Sequence, residues 1–161
     1  MKKLYDQMLS QEKKLKKSII GEIGERLVVA ELLRNNLGDL CLPVDKTQKG
    51  WDIIVITKKN EVIKIQVKTT VFDDNASTNN SFNVDGKYDF LVIVAIDDKE
   101  KINFLLLPQN KVKEVKEKNI KLAVTRKIDG KPNIRECFSP YKITKKADWK
   151  KIIRNNTDAV R

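Results

Sequence analysis

Apolar residues follow two different spacings along this chain, and the change from one to the other marks its elements. Leu4, Met8, Leu15, Ile19, Ile23, Leu27, Val28 and Leu32 recur on one side of a 3.6-residue period, which predicts helix from about residue 4 to residue 35. Ser18 reads as an N-cap that splits this stretch into a basic helical segment, 1–17, and a second helix. Asn35-Asn36-Leu37-Gly38 reads as the stop signal. Gly21 and Gly24 lie inside the second helix, where each costs about 1 kcal/mol relative to alanine, so close packing of helix on sheet is expected there.

From residue 52 the period changes to two. Residues 52–57 (DIIVIT) and 61–71 (EVIKIQVKTTV) are β-rich runs separated by Lys58-Lys59-Asn60, a hairpin signature. In the second run Ile63, Ile65 and Val67 point one way, and Lys64, Gln66, Lys68 and Thr70 the other. A three-residue loop with Asn60 in the left-handed conformation pairs Thr57 with Glu61 and sets Asp52 opposite Gln66, so that Asp52, Gln66 and Lys68 share a face. A loop one residue shorter or longer puts Asp52 on the other side.

Residues 72–86, rich in Asp, Asn and Ser, read as a long loop leaving the polar end of that strand. Residues 89–96 (DFLVIVAI) are apolar on both faces and predict a central strand, with 102–107 (INFLLL) as its neighbour. A short basic helix follows Pro108, then a run at 122–127, a turn at 129–132, a short strand around 134–138 and a closing helix near 147–154. This order describes one domain, 1–161, of α/β (α+β) class, with a mixed central sheet of about four to five strands flanked by helices. At 161 residues the chain is long enough for one core and too short for two.

Composition narrows the chemistry. The formal net charge of +11 suggests a polyanionic partner, with nucleic acid the leading candidate. The chain holds no histidine, which removes His-activated nucleophiles and His-ligated zinc. Cys41 and Cys137 have no CxxC context and read as reduced. No apolar run approaches the ~20 residues of a membrane span, and the charged N-terminal stretch does not resemble a signal peptide, so a soluble, cytoplasmic protein is expected. Without histidine or a covalent nucleophile, phosphodiester hydrolysis requires a hard divalent cation held by oxygen ligands, with a cation near the attacking water. Asp52, Gln66 and Lys68 meet that specification.

The run Gly50-Trp51-Asp52-Ile53-Ile54-Val55, followed by Ile65-Gln66-Val67-Lys68-Thr69-Thr70, resembles the core of the PD-(D/E)XK nucleases, with Gln66 where an acidic residue is commonest. Gly21-Glu22-Ile23-Gly24-Glu25-Arg26-Leu27 is similar to the first core helix of the Holliday-junction-resolvase-like branch, which carries a further acidic residue; Glu25 is the first choice for it and Glu22 the second. The similarity extends through residues 88–94 and 104–108. It implies a restriction-endonuclease-like core that binds Mg²⁺, with Mn²⁺ able to substitute. It further implies Asp52, Gln66, the Val67 backbone carbonyl and Glu25 as metal ligands, and Lys68 as the residue that positions or activates water. Lys49, Lys64, Thr69 and Thr70 would contact nucleic acid. DNA, duplex or branched, is the expected substrate, RNA is left open, and resolvase-like relatives pair into homodimers. The alternatives are a catalytically weakened nucleic-acid-binding protein, since Gln66 removes a negative charge, and an interaction subunit on a nuclease fold. Trp51 and Trp149 read as packing residues.

Overall fold

A computed structural model describes residues 2–44, 50–72, 81–97, 101–115, 120–122 and 134–154, with the side chains of the first helix described from residue 17 onward. That helix, α1 (Lys2–Arg34), runs for 33 residues without a break. The expected division at Ser18 is therefore corrected: no proline interrupts the stretch, and its Lys, Glu and Leu content favours continued propagation over a new, costly nucleus. Its end matches the stop signal. Asn36 adopts φ 51, and the Asn36 and Leu37 N–H groups reach back to the carbonyls of Leu33 and Leu32 at 3.0 and 3.2 Å. This is the hydrogen-bond pattern of a Schellman cap, with both Leu32 and Leu37 buried.

Five strands form the main sheet in the order β1-β2-β3-β5-β6: β1 (Leu40–Pro43), β2 (Ile53–Ile56), β3 (Val62–Phe72), β5 (Phe90–Asp97) and β6 (Ile102–Pro108). All neighbours are antiparallel except β3 and β5, which run parallel. The architecture is α+β with a mixed sheet, as expected. A two-stranded ribbon pairs β4 (Ser81–Phe82) with β7 (Ile120–Lys121), so the segment read as one long loop carries a short strand. The edge strand β1 was not anticipated either. The strand expected at 134–138 gives way to a 3₁₀ helix, Glu136–Tyr141, that includes Pro140, a residue with no N–H to offer a ladder. Helix α2 (Gln109–Val115) follows β6, and two single turns, α3 (Lys146–Trp149) and α4 (Lys151–Arg154), stand where one closing helix was expected. Residues 123–133, including most of the expected run at 122–127 and the expected turn at 129–132, lie outside the described residues.

Both faces of the sheet are covered, and alternation decides what each receives. Val28 and Leu32 of α1, with Trp149 and Ile152, pack on Ile63, Ile65 and Val67 of β3 and on Phe90, Val92 and Val94 of β5. On the other face Leu91, Ile93 and Ala95 meet Leu105, Leu107, Val112, Ile120 and Phe138. β5 thus buries residues 90–95 on both sides, the consequence of its unbroken apolar sequence. The helix lies close to the sheet at one glycine: a Cβ on Gly24 would stand 1.8 Å from Thr69 Oγ1, whereas one on Gly21 would meet nothing within 4 Å.

Candidate active site

The β2–β3 hairpin has the register that its sequence implies. Ile53 pairs with Ile65 and Ile56 with Val62, the Thr57 N–H donates to the Glu61 carbonyl at 3.0 Å, and Asn60 carries φ 60. The pairing stops at Ile53: Asp52, one residue before β2, turns its N–H to the Ile65 carbonyl as well, so the expected regular pairing of Asp52 with Gln66 gives way to a bulge-like step at the strand start. In β3 the N–H and C=O groups of odd-numbered residues face β2, while those of Lys64 face the β5 side, where its carbonyl accepts the Asp89 N–H at 2.8 Å. β2 begins at Ile53, which pairs with Ile65, so Val67 has no ladder partner from it. The Asp52 carboxylate takes that place and accepts the Val67 N–H at 2.6 Å. Asp52 is fixed through its backbone too: its N–H donates to the Ile65 carbonyl at 2.8 Å, and its carbonyl accepts from Val44 at 2.9 Å.

Gln66 and Lys68 lie beside Leu91 and Ile93 in the parallel register, on the face away from α1. Gln66 is 5 % exposed, and its Oε1 is buried with no hydrogen-bond partner. Leaving such an oxygen unsatisfied costs about 1–3 kcal/mol. Burial pushes the Asp52 carboxyl above its ordinary value, while the Val67 N–H and the positive charge of Lys68 pull it back. Lys68 is therefore near enough to Asp52 to act on its ionisation, and the carboxylate points toward β3, not away from it. A carboxylate, a buried amide oxygen and a backbone carbonyl, that of Val67 within β3, are the hard oxygen donors that Mg²⁺ takes, and the unpartnered Gln66 Oε1 is the observation that favours such a ligand. Among the described residues no group of three Asp, Glu, Cys or His side chains is arranged to hold a metal.

The remaining expected residues divide. Glu25 lines a cleft of about 450 Å³ between α1 and the end of β1, with Glu22, Arg26, Val29, Leu33 and Val44. It thus belongs to the α1 side of the sheet, while Gln66 and Lys68 occupy the other; Val44, bonded to the Asp52 carbonyl, links cleft and strand end. Glu22 forms an ion pair with Arg26 at 2.8 Å. Lys64 stays on the Gln66 face, its Nζ 5.5 Å from the centre of the Trp51 ring. Thr70 is 7 % exposed and the Thr69 hydroxyl is buried under α1, so their hydroxyls are interior groups and do not offer the surface contacts expected of them. Lys49 lies outside the described residues.

Two relationships escaped the sequence. Asp89 locks β5 onto β3 by accepting the Lys64 N–H at 2.7 Å through Oδ2, although an aspartate at a strand start signals no particular partner. Gly50 and Gly86, at φ 96 and 153, pack backbone on backbone, since a Cβ on Gly86 would stand 2.6 Å from the Gly50 Cα. That contact holds the approach to Trp51 and Asp52 against the segment before β5. No helix of the described residues is long and apolar enough to cross a membrane. No protein-family model and no curated protein matches this chain.

Proposed function

We propose that the protein is a metal-dependent endodeoxyribonuclease that hydrolyses phosphodiester bonds in duplex or branched DNA. The observation that carries this reading is the Asp52 carboxylate held on the Val67 N–H, within the electrostatic reach of Lys68, with a buried, unpartnered Gln66 Oε1 in the residue before Val67. Asp52, Gln66 and the Val67 carbonyl would hold Mg²⁺ or Mn²⁺, while Glu25, in the cleft on the other face of the sheet, stands outside this set. When bound, such a cation supplies Lewis-acid stabilisation of phosphate oxygens and a more acidic water. The chain's own contribution is positional and electrostatic. The Val67 N–H fixes the carboxylate at one point, and the Lys68 ammonium offsets negative charge that develops on the phosphate. Lys64 adds positive charge on the same face, and the net charge of +11 favours a polyanion generally.

Purified protein with Mg²⁺ or Mn²⁺ should nick or cut DNA, and Asp52→Ala and Lys68→Ala should each abolish cutting. Cutting that survives both substitutions removes the assignment. A second reading is favoured by the absence of a three-carboxylate group among the described residues: a nucleic-acid-binding protein whose chemistry has faded through Gln66. It predicts salt-sensitive binding and no cleavage in any metal.

A further inference from the structure

We propose that this site accepts a phosphodiester independently of a divalent cation, so that nucleic acid binding does not wait for metal. The proposal rests on the nuclease-type reading above and concerns the order in which its ligands arrive. A site with two carboxylates and one lysine is net negative and repels phosphate until a cation neutralises it. Here the residue between Ile65 and Val67, both bonded to Asp52, is a neutral amide, so the charges of Asp52 and Lys68 cancel.

The surroundings shift the balance further toward anion binding. Lys64 lies two residues from Gln66 on the same face of β3, with Trp51 beneath its ammonium. Two carboxylates beside this stretch are engaged by backbone N–H groups, Asp52 by Val67 at 2.6 Å and Asp89 by Lys64 at 2.7 Å. Each of these carboxylates thus faces the positive end of an N–H dipole. Gln66 also brings an amide N–H₂, a donor that a glutamate in its place lacks. A phosphate arriving here meets the ammonium groups of Lys64 and Lys68, with the Asp52 and Asp89 carboxylates each held on a backbone N–H.

The test is fluorescence anisotropy with a fluorescein-labelled DNA duplex at low salt, in EDTA and in Ca²⁺. The wild-type dissociation constant should differ by less than about threefold between the two conditions. Gln66→Glu should weaken binding in EDTA by about tenfold or more, and Ca²⁺ should restore it. Positive charge elsewhere on the surface is common to both proteins and cancels in this comparison. If Gln66→Glu does not fold, as judged by circular dichroism, Lys68→Gln replaces it. It leaves the Asp52 charge unbalanced and should acquire the same metal dependence. Wild-type binding that requires Ca²⁺, or variants that bind equally well in EDTA, overturns the proposal. Absence of binding in both conditions instead overturns the nucleic-acid reading on which it stands.

Discussion

The Asp52 carboxylate accepts the Val67 backbone N–H at 2.6 Å, completing with a side chain the ladder that β2 leaves unfinished. A functional candidate is thus also a structural cap, and the two roles respond to substitution in opposite directions.

Asp52→Asn keeps an oxygen for the Val67 N–H and removes the cost of ionising a buried carboxyl. Burial holds the folded-state pKa of Asp52 above 3.8. The unfolded chain therefore gives up this proton at lower pH than the folded one. Its contribution is favourable below the ordinary carboxylate range and is lost as pH rises through the folded value. Asp52→Asn should accordingly melt higher than wild type at neutral pH, with the gap closing below 3.8, while DNA cutting is lost. A lower melting temperature at neutral pH would contradict the assignment of the raised pKa to burial.

The two helix glycines should separate cleanly. Gly24→Ala drives a methyl to 1.8 Å from Thr69 Oγ1, an overpacking of about 1–3 kcal/mol that outweighs the helix propensity gained. Gly21→Ala meets nothing within 4 Å and should stabilise by up to about 1 kcal/mol. Urea unfolding of the two variants reads the difference, and Thr69→Ala should recover part of the Gly24→Ala loss. Equal effects at the two positions would contradict the close approach of α1 to β3.

What could be read from the sequence follows the range of the forces involved. The hairpin was legible because Asn60 and the alternation of residues 61–71 are local signals, and together they set the register of Ile53 to Thr57 against Glu61 to Ile65. The buried strand β5 was legible because two covered faces leave an unbroken apolar run. The edge strand β1 was not: four residues, Leu-Cys-Leu-Pro, are too few to establish a period, and their pairing is supplied by β2. The interior positions of Thr69 and Thr70 were hidden for a related reason. Threonine suits both a solvated and a covered strand face, and only the placement of α1 and β5 decides between them. Glu25 keeps its helix but faces the α1 side, because which way a helix turns its polar stripe depends on docking that no local signal reports.

Asn60 holds the register through its left-handed backbone, φ 60. Asn60→Gly should leave stability nearly unchanged, because glycine reaches that conformation without strain. Asn60→Val should cost about 1–2 kcal/mol, measured by equilibrium denaturation. Identical behaviour of the two variants would show that the turn does not depend on this residue.

Asp148 anchors the last helical turns. Its Oδ2 accepts the Thr144 and Lys145 N–H groups at 3.0 and 3.1 Å and the Thr144 hydroxyl at 3.2 Å. The Thr144 N–H above all, with Lys145 and Lys151, holds its carboxyl down at about 2. The stabilisation is present above the ordinary value of 3.8 and is lost as pH falls toward about 2. Asp148→Ala should lower the melting temperature at neutral pH, and the deficit should shrink as acid is added. Loosening would reach the core through Trp149, whose ring meets Phe104 edge-on at 5.3 Å.

The single parallel seam among the described strands of the main sheet, β3 against β5, has a kinetic consequence. β1-β2-β3 and β5-β6 are each antiparallel runs of neighbouring segments that close short loops, whereas joining them requires a crossover and the loss of more chain entropy. Folding should therefore be limited by the docking of two preformed hairpin units. Asp52, Gln66, Val67 and Lys68 all belong to the first unit, so their mutual alignment would be established early, before the seam between the halves has closed.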